Sequence, residues 1–448
     1  MNIKSRLLAN AVTRNLGSVF PGFFGSGYAG TKHDHNKDFG YPERLTFEHM
    51  YTMYSRNGLA SGVINGTASK TWEEYPYLLE SEEQHDETKT ERDVREAFDR
   101  LRLWQQLQEA DRRSLVGRYA AVIIRYADNK AFNQPVDRVA GLDAVVEIIP
   151  AWEKQITVSQ WDTDTASETY GQPLMFQFNE SAVPDQREQP RNFMVHPDRV
   201  IIWSRDGTVH GRPLLESCYN ALIDIEKIRG AGGEGFWRNS RSPVVLQTSP
   251  DIDAQSIAQS MGVEIADVQE KMSKQVQDWA SGFDKLLMLQ GMEANSIQSD
   301  LPSPEHFYWS AINEVTACSS MPVKILIGNQ TGERASTEDA QAWAQHCMSR
   351  RTGTVKPCIM SGLVERFVRF GVLPERDWYL SWTDLTEASM SEKIDRAGKM
   401  ADVNQKHSDS GEWVFTPDEI REAIGYEPLT DADRYREEQP DDEEFDAL

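Results

Sequence analysis

The chain has 448 residues, more than one ordinary core accommodates, with 39% hydrophobic and 26% charged side chains. It carries 47 basic against 71 acidic residues, a formal net charge of −24. These figures exclude a disordered chain, and average repulsion disfavours broad capture of nucleic acid or anionic membranes, although DNA could still slide past such a surface. No apolar stretch approaches the ~20 residues needed to cross a bilayer. The basic start of residues 1–20, interrupted by Arg14, does not read as a signal peptide. Cys218, Cys318, Cys347 and Cys358 form no CxxC pair, so neither a disulfide framework nor a zinc site is expected, and a reducing cytosol fits.

Residues 1–44 read as a flexible, glycine-rich arm ending near His33-Asp34-His35. Two histidines at i, i+2 could ligate a metal from a strand, but with no third ligand nearby a solvated loop is the better reading. From Leu45 to Ala68 apolar residues recur at helical spacing (Phe47, Met50, Tyr51, Tyr54, Leu59, Val63, Ile64), with a break at Gly58. A charged bridge, Glu82 to Glu91, leads into one long amphipathic helix with Val94, Phe98, Leu101, Trp104, Leu107 and Ala110 on a single stripe. Ala120 to Tyr126 predicts a strand. Further strands are predicted over Ala144 to Gln160, around Phe176, Phe178, Phe193 and Val195, and over Val200 to Trp203. The first half is therefore mixed α and β.

The second half changes character. Pro213 to about Gly230 predicts a helix that Gly230-Ala231-Gly232-Gly233 ends or kinks. A small insert follows: a strand at Val244 to Gln247, a helix from about Ala254 to Trp279, and a strand at Lys285 to Leu289. Asp300 to Ser320 is again helical, and Met321 to Gly328 reads as an apolar strand or extended segment. A polar stretch, Asn329 to Thr337, leads into a long helix to Phe370, interrupted near Gly353 and Pro357. Helices are predicted around Ser391 to Gln405 and from Thr416 to Ile424, the latter opened by the capping box of Thr416 and Glu419. Residues 427–448 hold ten acidic and two basic residues and read as a disordered, solvated tail.

The search for chemistry is negative. There is no phosphate-binding GxxxxGK[ST], dinucleotide GxGxxG, zinc HExxH or nucleophile GxSxG. The glycine run at 230–235 follows a helix rather than a strand, so it does not read as a phosphate loop. Asp162/Asp164 and Asp251/Asp253 read as turns before they read as cation sites. No catalytic residue, cofactor or metal is expected. Trp72, Trp104, Trp152, Trp203, Trp237, Trp309, Trp343 and Trp382 mostly occupy apolar phases and read as core and subunit-interface packing.

Several stretches, in order, resemble the portal proteins of tailed bacteriophages. They are Asn57-Gly58-Leu59-Ala60 to Trp72; Arg113 to Ile124; Val195-His196-Pro197-Asp198-Arg199-Val200-Ile201 followed by Gly211-Arg212-Pro213-Leu214-Leu215-Glu216; Met321-Pro322 to Gly328; Gln330 to Asp339; and Phe415 to Arg421. The resemblance implies a helix-rich α+β subunit with wing, stem, clip and crown in a ring, usually of twelve. It would act at the capsid vertex as the channel for DNA packaging and ejection. On this basis 45–210 is wing, 211–241 stem, 242–300 clip, 301–321 second stem helix, 322–337 the tunnel-loop region, 338–390 wing helix and strands, and 391–426 crown. The implied loop is Asn329, Gln330, Thr331, Gly332, Glu333 and Arg334. Lys324 and Arg334 are candidates for transient contact with the DNA backbone, intersubunit ion pairs being the rival role. Implied partners are further copies of the chain, double-stranded DNA without sequence readout, terminase, tail or adaptor proteins and the major capsid protein, with no membrane. The implied location is the virion, after assembly in the host cytoplasm. Two alternatives remain: a phage-encoded cyclic-nucleotide phosphodiesterase, against which the lack of paired HxT/HxS motifs argues, or another adaptor or minor capsid protein.

Overall fold

Asn57 ends one helix and begins the next. α1 (Phe47–Arg56) closes with the Asn57 N–H donating to the Met53 carbonyl. α2 (Gly58–Thr71) opens with the Asn57 side-chain oxygen accepting from the N–H groups of Leu59 and Ala60 at 3.0 and 3.2 Å. The break thus falls one residue before the expected Gly58, because the amide side chain satisfies donors that glycine cannot. The computed structural model describes residues 34–82, 86–183, 189–240, 244–248, 255, 258–259, 262–271, 273–274, 292–296, 303–328, 333–386, 390–407 and 414–428. Most of the glycine-rich arm, His33 included, and the acidic tail beyond residue 428 lie outside them. The chain divides into two units, Met1–Trp382 and Thr383–Leu448.

In the first unit a short strand, β1 (Tyr77–Leu79), precedes α3 (Lys89–Leu101), which starts on a capping box between Thr88 and Glu91. α4 (Leu103–Val116) follows at once. The expected single helix is two, because Arg102 adopts a left-handed backbone with φ of 50°. Neither glycine nor proline marks the spot, so the periodicity conceals the break. The apolar stripe survives it: Val94, Phe98, Leu103, Trp104, Leu107 and Ala110 share one buried cluster.

β2 (Ala120–Tyr126) is the centre of an antiparallel sheet, between β3 (Val145–Trp152) and β7 (Val200–Trp203). Its near-continuous apolar run is explained by burial on both faces. Ala120, Val122, Ile124 and Tyr126 face the helical cluster, while Ala121 and Ile123 face a second sheet. That sheet comprises β4 (Ile156–Trp161), β5 (Pro173–Asn179) and β6 (Asn192–Val195) in sequential antiparallel order. Pro150 sits opposite Val122 on the edge strand β3, where its missing N–H is tolerated. The acidic pair Asp162/Asp164 forms turns: the Asp162 carboxylate accepts from the Asp164 N–H at 3.0 Å, and Asp164 accepts from Ala166 at 2.9 Å.

α5 spans Tyr219–Ser240, beginning six residues later than the expected Pro213 and running unbroken through the glycines at 230–233. Turns over residues 214–218 take the place of its first part and seat the buried Leu215 and Cys218. Glycine weakens a helix by about 1 kcal/mol per residue, but packing against α6 (Glu305–Ser319) and against α1 and α2 in one apolar cluster outweighs that. In the insert, β8 (Val244–Thr248) pairs antiparallel with β9 (Met292–Ser296). The partner strand is therefore Met292–Ser296; the expected Lys285 to Leu289 lies outside the described residues. The expected helix of the insert is interrupted at Gly262, whose φ is 64° and which is followed by a 3-10 turn, Ile265–Asp267.

Residues 323–327 are helical and not extended: α7 (Val323–Ile327) is closed by Gly328 in the left-handed region. A short apolar run carries no period of its own, so its neighbours decide, and here it lies on α2. α8 (Glu333–Arg350) passes through π-helical turns at Arg351–Val355 and Cys358–Val364 into α9 (Glu365–Phe370), so the expected interruption at Gly353 is a wide helical turn and that at Pro357 falls immediately before a second one. β10 (Tyr379–Ser381) closes the unit by pairing with β1. The second unit contains α10 (Met390–His407) and α11 (Pro417–Ile424). Asn404 braces the segment before α11, bonding the Phe415 N–H and carbonyl at 2.9 and 2.7 Å, and Thr416 and Glu419 form the expected capping box.

Candidate functional site

The expected loop is bounded by α7 and α8. Gly328, with φ of 76°, gives α7 its C-terminal cap. Asn329, Gln330, Thr331 and Gly332 lie outside the described residues. Glu333 and Arg334 belong to the backbone of the first turn of α8, so the helix begins within the expected polar stretch, Asn329 to Thr337. Lys324, on α7, places its Nζ 3.8 Å from a carboxylate oxygen of Asp339 on α8, an ion pair within the same chain. Both partners keep about a third of their side-chain surface exposed, so the pair is worth on the order of 0–1 kcal/mol.

Small residues on α2 seat the near end of this region. A Cβ on Gly62 would lie 3.2 Å from Leu326 Cδ1, and one on Gly66 would lie 3.0 Å from Met321 Cε. Met321 is buried there, and α7 rests on the surface that the two glycines leave low.

The far end of α8 is fixed by a buried carboxylate. Asp111 on α4, with no exposed surface, accepts from the indole Nε1 of Trp72 at 2.8 Å and of Trp203 at 2.9 Å. It also receives the Arg350 guanidinium in bidentate fashion, at 2.8 and 2.5 Å. Burial works against the Arg350 charge, yet the charge of Asp111 and its hydrogen bonds prevail and raise the Arg350 pKa. Next in the chain, Arg351 donates from Nε to the Thr71 carbonyl at 2.5 Å and lays its guanidinium 4.4 Å from the centroid of the Trp382 ring. The sequence reading placed these tryptophans in apolar phases but missed the hub. Its available signal was an aspartate next to Leu107 and Ala110 on a core stripe, since buried indole N–H groups need an acceptor.

The His196-Pro197-Asp198-Arg199 stretch makes a second buried pair. A 3-10 turn, Pro197–Arg199, aims Arg199 at Asp128 with 2.5 Å between Nη2 and Oδ2, both side chains 2% exposed. Gly211 sits against the backbone before β2: a Cβ there would lie 2.3 Å from the Arg118 carbonyl oxygen. Among the described residues no three His, Cys, Asp or Glu side chains gather as a metal site, and no helix is long and apolar enough to cross a membrane. All four cysteines are free. Burial pushes the Cys218 thiol up to about 12 and those of Cys347 and Cys358 up to about 11, which keeps them protonated and poorly nucleophilic at neutral pH.

The family model described as phage portal protein matches residues 48–406. The chain belongs to the phage portal protein family. These are structural, non-enzymatic proteins of the virion and its head–tail connector. No curated protein matches the chain. Among solved structures it is similar to a chain in the virion of a native gene transfer agent particle, at 12% identity and TM-score 0.50, covering 86% of this chain and 94% of that one. A chain in the neck of an empty gene transfer agent particle, computed with C6 symmetry, is similar at 14% identity and TM-score 0.50, with 86% and 95% covered. An HK97-family phage portal protein from Corynebacterium diphtheriae matches at 10% identity and TM-score 0.35, with 75% and 94% covered. The first two likenesses show a shared helix-rich mixed fold.

Proposed function

We propose that the chain is the subunit of a portal ring, twelve copies being the usual number, set at one capsid vertex as the channel through which DNA is packaged and ejected. The ring docks the terminase and later the tail or adaptor proteins. Residues 45–210 are the wing, α5 and α6 with their flanks (211–241 and 301–321) the stem, and 242–300, closed by β8 and β9, the clip. Residues 322–337 carry the tunnel loop, 338–390 return to the wing, 391–426 form the crown, and 427–448 are an acidic tail. The observation that carries this reading is the family match over 48–406, which spans α5, the insert with its paired strands β8 and β9, α6, α7 and α8.

Surface chemistry agrees. Phe236 and Trp237 on α5 and Phe307 on α6 are 74%, 58% and 65% exposed in the single chain, and neighbouring subunits would cover such side chains. Ring assembly multiplies the −24 of each chain, and negative walls let a duplex slide, where cationic walls would release counterions and stick. At the loop, Asn329, Gln330 and Thr331 offer hydrogen bonds to phosphates and Arg334 one charge, contacts without sequence readout. Negative-stain electron microscopy of the purified chain tests the proposal. Turbine-shaped rings with a central hole are expected, and a preparation of monomers or non-annular particles overturns it.

A further inference from the structure

A concave cleft of about 800 Å³ opens in the first unit where four segments meet: the turn from α4 to β2, the stretch between β7 and α5, the end of α6, and the last turns of α8. Its charge is opposite to that of the chain. Arg118, Arg205 and Arg212 line it, all three exposed, and none forms an ion pair among the described residues. Glu216 is the one carboxylate in its lining. The chain carries 24 more acidic than basic residues, yet three arginines meet around this one hollow, with the Glu153 carboxylate within electrostatic reach of Arg118.

The hollow is also held in shape. The close approach of Gly211 to the Arg118 carbonyl keeps Arg212 beside Arg118, and the Leu214 N–H donates to the Leu115 carbonyl at 2.9 Å, tying the two walls together. The positive field registers on His346 at the rim, whose pKa is lowered by burial first and then by Arg350 and Arg205.

We propose that this cleft docks an acidic peptide segment of a partner protein, its carboxylates pairing with Arg118, Arg205 and Arg212. Guanidinium forks match carboxylates bidentately, and three of them, one on the turn from α4 to β2 and two along the stretch between β7 and α5, suit charges spaced along an extended chain. Leu115, Pro213 and Leu214 give the cleft an apolar floor for the peptide's remaining atoms. Phosphates fit less well. A duplex is stiff over about 150 base pairs and carries its charge on the outside of a rod, so it cannot enter a hollow of this size. A single free phosphate would engage one fork and leave the floor bare. The proposal does not depend on the ring.

Fluorescence anisotropy tests it on the full chain, in whatever oligomeric state it adopts. The probe is a labelled ten-residue peptide of alternating Glu and Leu. Saturable binding at low salt is expected, weakened about tenfold or more by Arg205→Glu with Arg212→Glu and weakened also by 0.5 M salt, but unchanged by Arg95→Glu on α3. Arg205→Gln with Arg212→Gln, a gentler pair, should show an intermediate loss, and thermal melts confirm that each variant folds. No saturable binding, or equal binding by wild type and the double variants, overturns the proposal. So does displacement of the peptide by inorganic phosphate or a 20-base-pair duplex at lower concentration than by unlabelled peptide, since the ligand would then be a phosphate.

Discussion

Asp111 receives two indoles and one guanidinium with no access to water, so removing its carboxylate strands a buried cation. Breaking a buried pair from one side costs about 3–5 kcal/mol, and Asp111→Ala is expected to lose that much, read as a lower urea midpoint. Replacing Lys324 by Met should cost under about 1 kcal/mol in the same assay, because its pair with Asp339 is partly solvated. A surface carboxylate supplies the pH test. Glu48 lies 2.6 Å from Lys154, and the hydrogen bond from that lysine, with help from the helix backbone, lowers its pKa from 4.5 to about 2. A depressed folded pKa gives stability that is present above 4.5 and lost as pH falls towards about 2. With half of each side chain in solvent the contribution is well under the full linkage value, on the order of 1 kcal/mol at most. NMR titration should find Glu48 near 2, returning towards the ordinary carboxylate range in Lys154→Met. At this scale the sequence was half legible. Apolar phase read the tryptophans as core or subunit-interface packing; Trp72, Trp104, Trp203 and Trp343 are buried and Trp237 is exposed in the single chain, but nothing in the phase told the two apart or showed that consecutive arginines, Arg350 and Arg351, point inward.

Elements were legible where a period or a cap wrote them. β2, β7, α6 and the Thr416 capping box follow from alternation, spacing and hydrogen-bond chemistry that act within a few residues. They were illegible where a distant neighbour decides. α7 is helical because α2 offers it a glycine-lowered surface, and α5 starts late because the turns before it must reach Leu115 and pass beneath the Arg118 carbonyl. That second constraint is testable. Gly211→Ala would press a methyl group against a backbone oxygen that has no flexible side chain to yield, and such overpacking costs about 1–3 kcal/mol. A shift of the urea midpoint with an unchanged slope is expected, and wild-type stability would show that the approach is not tight. Gly66→Ala meets only the mobile end of Met321 and should be much milder.

For the whole molecule, the portal family was legible in the order of weak motifs along the chain, each too short to identify it alone. The candidate loop was legible only as a polar, glycine-containing stretch between firm elements; in the proposed ring, neighbouring subunits would decide which of its side chains face the channel, and local sequence does not encode that. Deleting Gln330 to Arg334 is expected to leave rings intact by electron microscopy while reducing retention or completion of packaged DNA. Normal genome length and normal infectious yield would reduce this stretch to a plain surface loop. The anchorage of α8 adds a mechanical consequence. Its 18 residues make an arm about 27 Å long, clamped at Arg350 and leading at the other end to the loop. Each degree of tilt at the clamp would swing the loop end by about half an ångström, so the stiffness with which a carboxylate braced by two indoles grips the guanidinium sets how far a load on the loop end could travel before the arm pushes back.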